Sequence, residues 1–488
     1  MSTQESPAQE AAKDPGLEEG SVRLPGVIGQ SLSAMALSGV VATFVPVVVI
    51  QAGGHGWIVW AIGTLVILLI AVPVCYLSRH LTTTGGLYGF AAAALGPVGA
   101  LLCGWLMVAL LGIANVSAVL NFGAYFGNFL EKLGLPYNSV VLIASSLVLL
   151  AACWYLSHVG ASIAAWVMFM IEVVTSSVFL ILFIVVLFNR SGQIIDPPQF
   201  ETKGLSVSGI VAIVVIAVGA FTGFESASIY GREAKNPRRV IPIAMFTSVI
   251  LAGVAWVFSS YVIFLGFNND VGTLSNSTAP LSDLASNVNL GWYGLIVDLV
   301  TSFTAAAAVM ATFAWLSRMM LTMGRESVAP RSWAKVDPTH QTPKRSLAIV
   351  FIVWAILVVI FGSISDNPID TFGDFLASLA GLPGLLVYAV IAAAGVAYHW
   401  KERRTVGVVG VLGSLGVLAM AYTLYTNLVP WPDFPGNLVV GILLIALIAI
   451  GVLYVWLRKQ RPAVIADIGA SVRADTAADH EFDPQPTA

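Results

Sequence analysis

Twelve apolar runs alternate with short polar stretches along the chain, at about 26–51, 56–78, 98–130, 138–157, 161–188, 205–231, 240–267, 291–317, 346–364, 371–400, 406–428 and 435–457. A bilayer core of about 30 Å needs roughly 20 apolar residues per helix, so each run is long enough to cross. A membrane β-barrel would show segments of about ten alternating residues. These runs are continuous, and the pattern predicts an all-α polytopic membrane protein with 12 transmembrane helices. Residues 1–23 and 462–488 are polar and rich in small residues, and read as disordered tails flanking a folded part of about 24–461. The first 22 residues lack the basic start and apolar core of a cleavable signal peptide.

Composition removes the alternatives. Hydrophobic residues make up 58% and charged residues 10%, against about 25% charged in ordinary soluble proteins. A water-soluble globule cannot be coated with so few charges. The net charge of −3 argues against a nucleic-acid partner. Cys75, Cys103 and Cys153 all lie in apolar runs, so neither a disulfide framework nor a paired-cysteine metal site is expected. No cofactor or metal and no obligate protein partner is indicated. An even number of spans puts both termini on one side. With the termini inside, only Lys132, Arg190 and Lys203 of the 23 Lys and Arg fall outside. Setting aside Lys13 and Arg473, far out in the tails, the basic residues divide 18 to 3. The positive-inside rule therefore predicts a multi-pass protein of the cell (cytoplasmic) membrane with cytoplasmic termini.

Span 1 contains Ser38-Gly39 and span 6 contains Thr222-Gly223, at similar depth and 184 residues apart. Such interruptions in two halves point to broken helices in an inverted-repeat transporter, although close helix packing also uses glycine. Four acidic residues fall inside spans: Glu172, Glu225, Asp298 and Asp374. A charge at mid-membrane costs about 2.5–3.5 kcal/mol even on the permissive scale, which marks such groups as functional or neutral. At 1.5 Å per residue, Glu172 is roughly 17 Å into span 5, near the midplane. Asp298 is about 10 Å below the outer surface on the same count, and Asp374 is shallower. Both are read as facing a wet vestibule.

The string GAFTGFESASIYGREAKNPRRVIP at 219–242 closely resembles the sixth span of the amino acid–polyamine–organocation (APC) superfamily. Thr84-Gly85-Gly86-Leu87-Tyr88 with Leu95-Gly96-Pro97 is similar to that family's loop after span 2. Ser317-Arg318, GRESVAP at 324–330 and Thr342-Pro343 resemble its segment after span 8, and SLSAMALSGVV at 31–41 resembles its span 1 motif more loosely. The resemblance covers about 24–400 and is vague in spans 11 and 12. It implies a 5+5 inverted repeat of the leucine-transporter type plus two extra helices: spans 1–5 over 24–204, spans 6–10 over 205–400 and spans 11–12 over 401–461.

The same resemblance implies a site. An amino acid's carboxylate would meet freed N–H groups of Leu37, Ser38, Gly39 and Val40, and its ammonium the carbonyls of Ala220, Phe221 and Thr222 beside Gly223. Span 1 reads Leu37-Ser38-Gly39 where the family usually has G-S-G, one permissive residue fewer. Phe221, Phe224 and Asn115 are candidates for the side-chain pocket, with helix packing as the plainer reading. Gly219 stands where arginine-exchanging relatives carry a Trp gate, which argues against arginine–agmatine exchange. Glu172 aligns with the span 5 position where proton-coupled relatives carry Lys at the sodium site of sodium-coupled cousins; Thr301 and Ser302 would supply hydroxyls. A carboxyl removed from water can exchange a proton in the physiological range. A permanently protonated Glu172 bonded to a carbonyl is the plain alternative. Glu225 is assigned a structural or gating role in span 6. The basic cluster Arg232 to Arg239 is read as a topology signal, with a gate ion pair as the lesser reading.

The function expected is secondary active transport of amino acids, with proton-coupled uptake first and exchange or sodium symport as alternatives; the partners are the bilayer, a small-molecule amino acid and a proton or sodium ion. A non-transporting substrate sensor is the alternative of a different class. No enzyme is expected: H-E-x-x-H, G-x-S-x-G and paired intramembrane aspartates are all missing from the sequence, as is a P-loop.

Overall fold

The computed structural model describes residues 16–189, 195–201, 207–365 and 368–482. Arg190 and Lys203, two of the three basic residues expected outside, lie beyond the described residues, as does Lys13. Among the described residues, 12 helices are long and apolar enough to cross a membrane, and their order reproduces the twelve runs of the sequence. Span 1 comprises Leu24–Ala34, Leu37–Ala42 and Phe44–Ala52. Spans 2 to 5 are Gly56–His80, Pro97–Lys132 in several helical pieces, Ser139–Val159 and Ala161–Asn189. Span 6 is the helix Val207–Ala220 followed by a 3-10 stretch Phe224–Tyr230. Spans 7 to 12 are Pro237–Gly266, Gly291–Arg325, Lys344–Ile364, Pro368–Arg403, Gly407–Leu428 and Gly436–Gln460.

Span 2 packs along span 7, span 3 along span 8, span 4 along span 9, and the first piece of span 1 against the 3-10 stretch of span 6. In these four pairs, elements five spans apart lie side by side, and because five is odd they run in opposite directions, as two inverted halves must. Lipid tails are as apolar as Leu, so these pairs are held by close backbone approach rather than by a hydrophobic drive. A Cβ added at Gly253 of span 7 would lie 2.4 Å from Thr64 of span 2, so a larger residue there would push the pair apart. Span 8 is the central post, 72% buried, whereas span 12 is 17% buried and turns Ile445, Ile448 and Val452 outward.

Neither tail is plainly disordered where it is described. Val22 forms a parallel bridge with Ala234, its N–H reaching the Glu233 carbonyl at 2.8 Å, and Leu17 is buried. The tail expected from 462 onward is helical over Pro462–Asp467 and Ala470–Phe482. Ile468 is buried between the two helices, and Val472 and Asp475 are buried about one turn apart in the second, too few positions to stand out from a polar composition. Both termini therefore meet the loops at one end of the bundle, here termed the terminal end.

Candidate substrate and coupling site

Two helix breaks face each other in the middle of the bundle. Span 1 breaks at Met35 and Ala36, where Ala36 has φ 50 and ψ 55, rather than at Ser38-Gly39 as expected. Leu37, Ser38 and Gly39 open the second helical piece, so their N–H groups have no carbonyl a full turn earlier within it. Ala36 is left-handed despite its Cβ, a conformation that is costly and usually kept for function. Span 6 breaks where expected: its helix ends at Ala220, and Gly223 has φ 111. A Cβ on Gly223 would lie 2.7 Å from the Ala34 backbone, so the two breaks touch through backbone. Ser31 Oγ donates to the Phe224 carbonyl at 2.7 Å, and Ser226 Oγ to the Gln30 carbonyl at 3.3 Å.

Four N–H groups were expected to hold a carboxylate, and two of them already have partners. Val40 N–H donates to the Ala36 carbonyl at 2.8 Å. Ser38 N–H and Ser38 Oγ both donate to Glu172 Oε2, at 3.2 and 2.8 Å. Thr175 Oγ1 stands 2.9 Å from Ser38 Oγ, closing a short polar cluster between spans 5 and 1. Glu172 is 2% exposed, and its Oε1 has no hydrogen-bond partner among the described residues. A buried acceptor left unpaired is unusual and calls for an explanation in function.

The span 8 hydroxyls are arranged differently from the expectation. Thr301 and Ser302 bond back to Val297 and Asp298 carbonyls of their own helix. Thr304, one turn further, comes nearest Gly39: a Cβ there would lie 3.2 Å from Thr304 Oγ1. Thr304 was not picked from the sequence, although it stands three residues from Thr301 on the same helix face. Thr301 instead lines a cavity of about 10 Å³ with Ala42, Tyr125, Asp298 and others, room for about one water. Asp298 does not face a wet vestibule: it is 1% exposed and pairs with Lys132 at 2.5 Å, with Ser282 Oγ 2.6 Å from the ammonium. Lys132 reaches it from the end of span 3, a contact between positions 166 residues apart. Asp374 is exposed.

Glu225 is tied into span 6 and span 10. Its Oε2 accepts Tyr388 Oη at 2.6 Å and Gly223 N–H at 3.1 Å, and Gly223 N–H also lies 2.9 Å from Tyr388 Oη. Phe221 and Phe224 are fully buried, the first against Trp256 and the second against Tyr388. Packing accounts for both. A Cβ added at Gly384 of span 10 would lie 3.7 Å from Thr222 Oγ1 and 3.9 Å from Leu111 of span 3, and Leu111 closes a π-helical turn, Leu106–Leu111. Such turns inside helices frequently mark functional sites. Asn115 bonds its own Leu111 carbonyl at 2.7 Å and meets Thr312 of span 8 at 3.5 Å. Gln30 and Tyr388 were missed in the sequence because a single polar residue in an apolar run gives no sign of its partner.

At the terminal end, Arg318 of span 8 holds Glu233 through two contacts of 2.5 and 2.6 Å, and its guanidinium lies 5.1 Å from the Tyr230 ring centre. Glu233 belongs to the basic cluster read chiefly as a topology signal, so the buried pair it forms is the lesser of the two readings.

Half-helices that meet at facing breaks in an inverted repeat, with a buried carboxylate beside one helix start, define a membrane transporter of the broken-helix class. The amino acid permease family model matches residues 29–462, and the chain belongs to that family. It is 24% identical to the low-affinity putrescine importer PlaP of Escherichia coli (strain K12), over 66% of this chain and 71% of the relative. It is 22% identical to the branched-chain amino acid permease BcaP of Bacillus subtilis (strain 168), over 72% and 75%. Among solved structures, MhsT in complex with L-phenylalanine superposes with a TM-score of 0.58 at 14% identity, covering 88% of this chain and 100% of that one. A likeness at that identity speaks to the fold. The chain is a transporter and not an enzyme.

Proposed function

We propose that this permease takes up an α-amino acid across the cytoplasmic membrane by alternating access, with both termini cytoplasmic, and that Glu172 couples uptake to protons. One observation carries the coupling: Glu172 Oε2 sits on Ser38 N–H and Oγ at the start of the second helical piece of span 1, with Oε1 unpartnered. A carboxylate there occupies donors that a substrate carboxylate would use, and its charge opposes the substrate's. Protonation removes that charge and frees Ser38 for the substrate, so proton and amino acid bind together. The substrate carboxylate then lies on Leu37, Ser38 and Gly39 N–H groups, and its ammonium on the carbonyls of Ala220, Phe221 and Thr222. The relatives' names give putrescine for one and branched-chain amino acids for another, which differ too much to assign a side chain.

The test is uptake of radiolabelled amino acids into proteoliposomes under an imposed pH gradient, with and without sodium. Accumulation that follows the pH gradient supports the reading; accumulation that follows sodium alone rejects it. Sodium is the second reading, supported by the oxygen-rich cluster of Glu172, Ser38 and Thr175, since a hard cation takes oxygen ligands. The orientation rests on the basic bias. Cysteines placed in 332–342 should react with an impermeant maleimide only from inside, and those in 270–280 only from outside.

A further inference from the structure

Two features outside the substrate site fall short of a binding site. His158, Asp337 and His340 have the atom spacing of a metal cluster. However, Asp337 already accepts the His340 and Thr339 N–H groups and lies 3.2 Å from Lys344, which together hold its carboxyl well below the usual carboxylate range. A cation there would face the Lys344 ammonium. The cleft between Ser327–Arg331 and the end of span 12, about 650 Å³, is largely apolar, and nothing in the structure shows what fills it.

The C-terminal helix Ala470–Phe482 carries more. Its first turn is capped from outside the helix: Glu326, at the end of span 8, accepts Gly469 N–H and Ser471 N–H, each at 3.0 Å, while also accepting Tyr88 Oη. A carboxylate at a helix N-terminus satisfies orphan donors and meets the positive end of the helix. One turn on, Val472 is buried against Gly89, the helix-facing position of Leu87–Leu95. Asp475 is 6% exposed, accepts Thr84 N–H and Oγ1 at 3.2 and 3.0 Å, and contacts Arg232 at 2.7 Å. The Arg232 contact is a charge pair off the N–H axis, since Arg232 Nε makes no aligned hydrogen bond. Thr476 exchanges hydrogen bonds with Thr82, at 3.0 and 3.2 Å, and its carbonyl accepts Arg238 at 3.0 Å.

These contacts reach three separate places: the segment after span 2, the segment after span 6 with the first turn of span 7, and the end of span 8. The last two are also joined beneath the helix by Glu233 and Arg318. For the terminal end to open, the end of span 6 must part from span 8, and the C-terminal helix spans that seam from Arg232 to Glu326. Alternating access requires such an opening in every cycle. We propose that the C-terminal helix is a releasable strap: docked, it holds the terminal end closed; undocked, it permits that end to open. The contacts suit a reversible latch, because most are polar and the apolar part rests mainly on Val472 and Ile468. This strap follows from the family's transport cycle and is independent of which ion Glu172 carries.

The test uses the full chain in proteoliposomes with Cys75→Ala, Cys103→Ala and Cys153→Ala as background. Thr82→Cys with Thr476→Cys places two thiols at a contact present only when the strap is docked. Oxidation should lower uptake of a radiolabelled mixture of L-amino acids about tenfold, with recovery on reduction, because lid opening sets many turnover rates. A second measurement needs no substrate. In a separate variant, the thiol introduced by Ser317→Cys, buried beside Arg318, should react faster with a maleimide when Asp475→Ala and Thr476→Val are added. A cross-linked protein that transports as fast as the reduced one would overturn the proposal, as would unchanged maleimide reactivity in the undocking variant. A protein with no uptake in any state, but with strap-dependent reactivity, would leave the strap standing and count against the transport assignment.

Discussion

Two buried carboxylates each stand at one helix break, yet they are built in opposite ways. Glu225 belongs to the broken span itself and is met by Gly223 N–H and Tyr388 Oη. Glu172 comes from a neighbouring span and reaches across to Ser38 with one oxygen, leaving the other unpartnered. The proposed coupling role gives the same functional group two different tasks: a staple at Glu225 and a movable partner at Glu172. Among the described residues, Glu225 is held from its own segment by Gly223 as well as from span 10 by Tyr388, whereas the Glu172 carboxylate is held from another span alone, by Ser38. A carboxylate tied partly to its own segment keeps that contact when neighbouring spans move; one held from another span alone loses its contacts when the two separate.

The largest effect expected along this comparison is at Gly223. Val there meets both φ 111 and the Ala34 backbone at 2.7 Å. Gly223→Val should weaken substrate binding by about 100-fold or more, roughly 2.8 kcal/mol, read by thermal shift or scintillation proximity. Wild-type affinity in that variant would remove the break from the site.

Next comes Glu172→Gln. With one pH unit imposed, a one-proton symporter can concentrate substrate about tenfold. The variant should show no such accumulation while still catalysing counterflow, since Gln keeps the volume and accepts from Ser38. If Glu172→Gln still concentrates substrate against the gradient, the two carboxylates are alike and both are structural.

Glu225→Gln and Tyr388→Phe sharpen the other side of the comparison. Tyr388→Phe removes the donor to Glu225 and should cost about 1–3 kcal/mol in stability, seen as a lower Tm in detergent, whereas Glu225→Gln keeps an acceptor oxygen and should cost less; pH-driven uptake should persist in both. Loss of coupling in either variant at unchanged Tm would move the proton role to Glu225.

The smallest effect is expected at Gly39. It lies in a helical piece, and an added Cβ would stand 3.2 Å from Thr304 Oγ1 and 3.3 Å from Ala36 Cβ, so modest shifts can absorb it. Gly39→Val should weaken affinity by about tenfold or less, about 1.4 kcal/mol. A loss as large as at Gly223 would place the true break nearer Ser38-Gly39 than Ala36.

The amino-acid sequence by itself determined the number and order of the spans, because each must present about 20 apolar residues to lipid whatever its neighbours do. It also determined the break at Gly223, where a glycine interrupts an apolar run inside a specific motif, and it marked Glu172 by the cost of charge at that depth. Tertiary structure decided the rest. The span 1 break falls at Ala36, a residue with no local preference for φ 50, because packing against span 6 over-determines it. Asp298 became half of an ion pair because Lys132 arrives from the end of span 3, 166 residues away. Glu172 and Glu225 have the same side chain; only the fold gives Glu225 partners in its own segment and in span 10, and Glu172 a partner in span 1. The C-terminal helix reads as a tail in the sequence because Val472 and Asp475 are its buried positions among the described residues, and two such positions mean nothing until the loops that receive them are assembled. Local pattern fixes what must avoid water, whereas pairing between distant polar groups depends on geometry that no single segment contains.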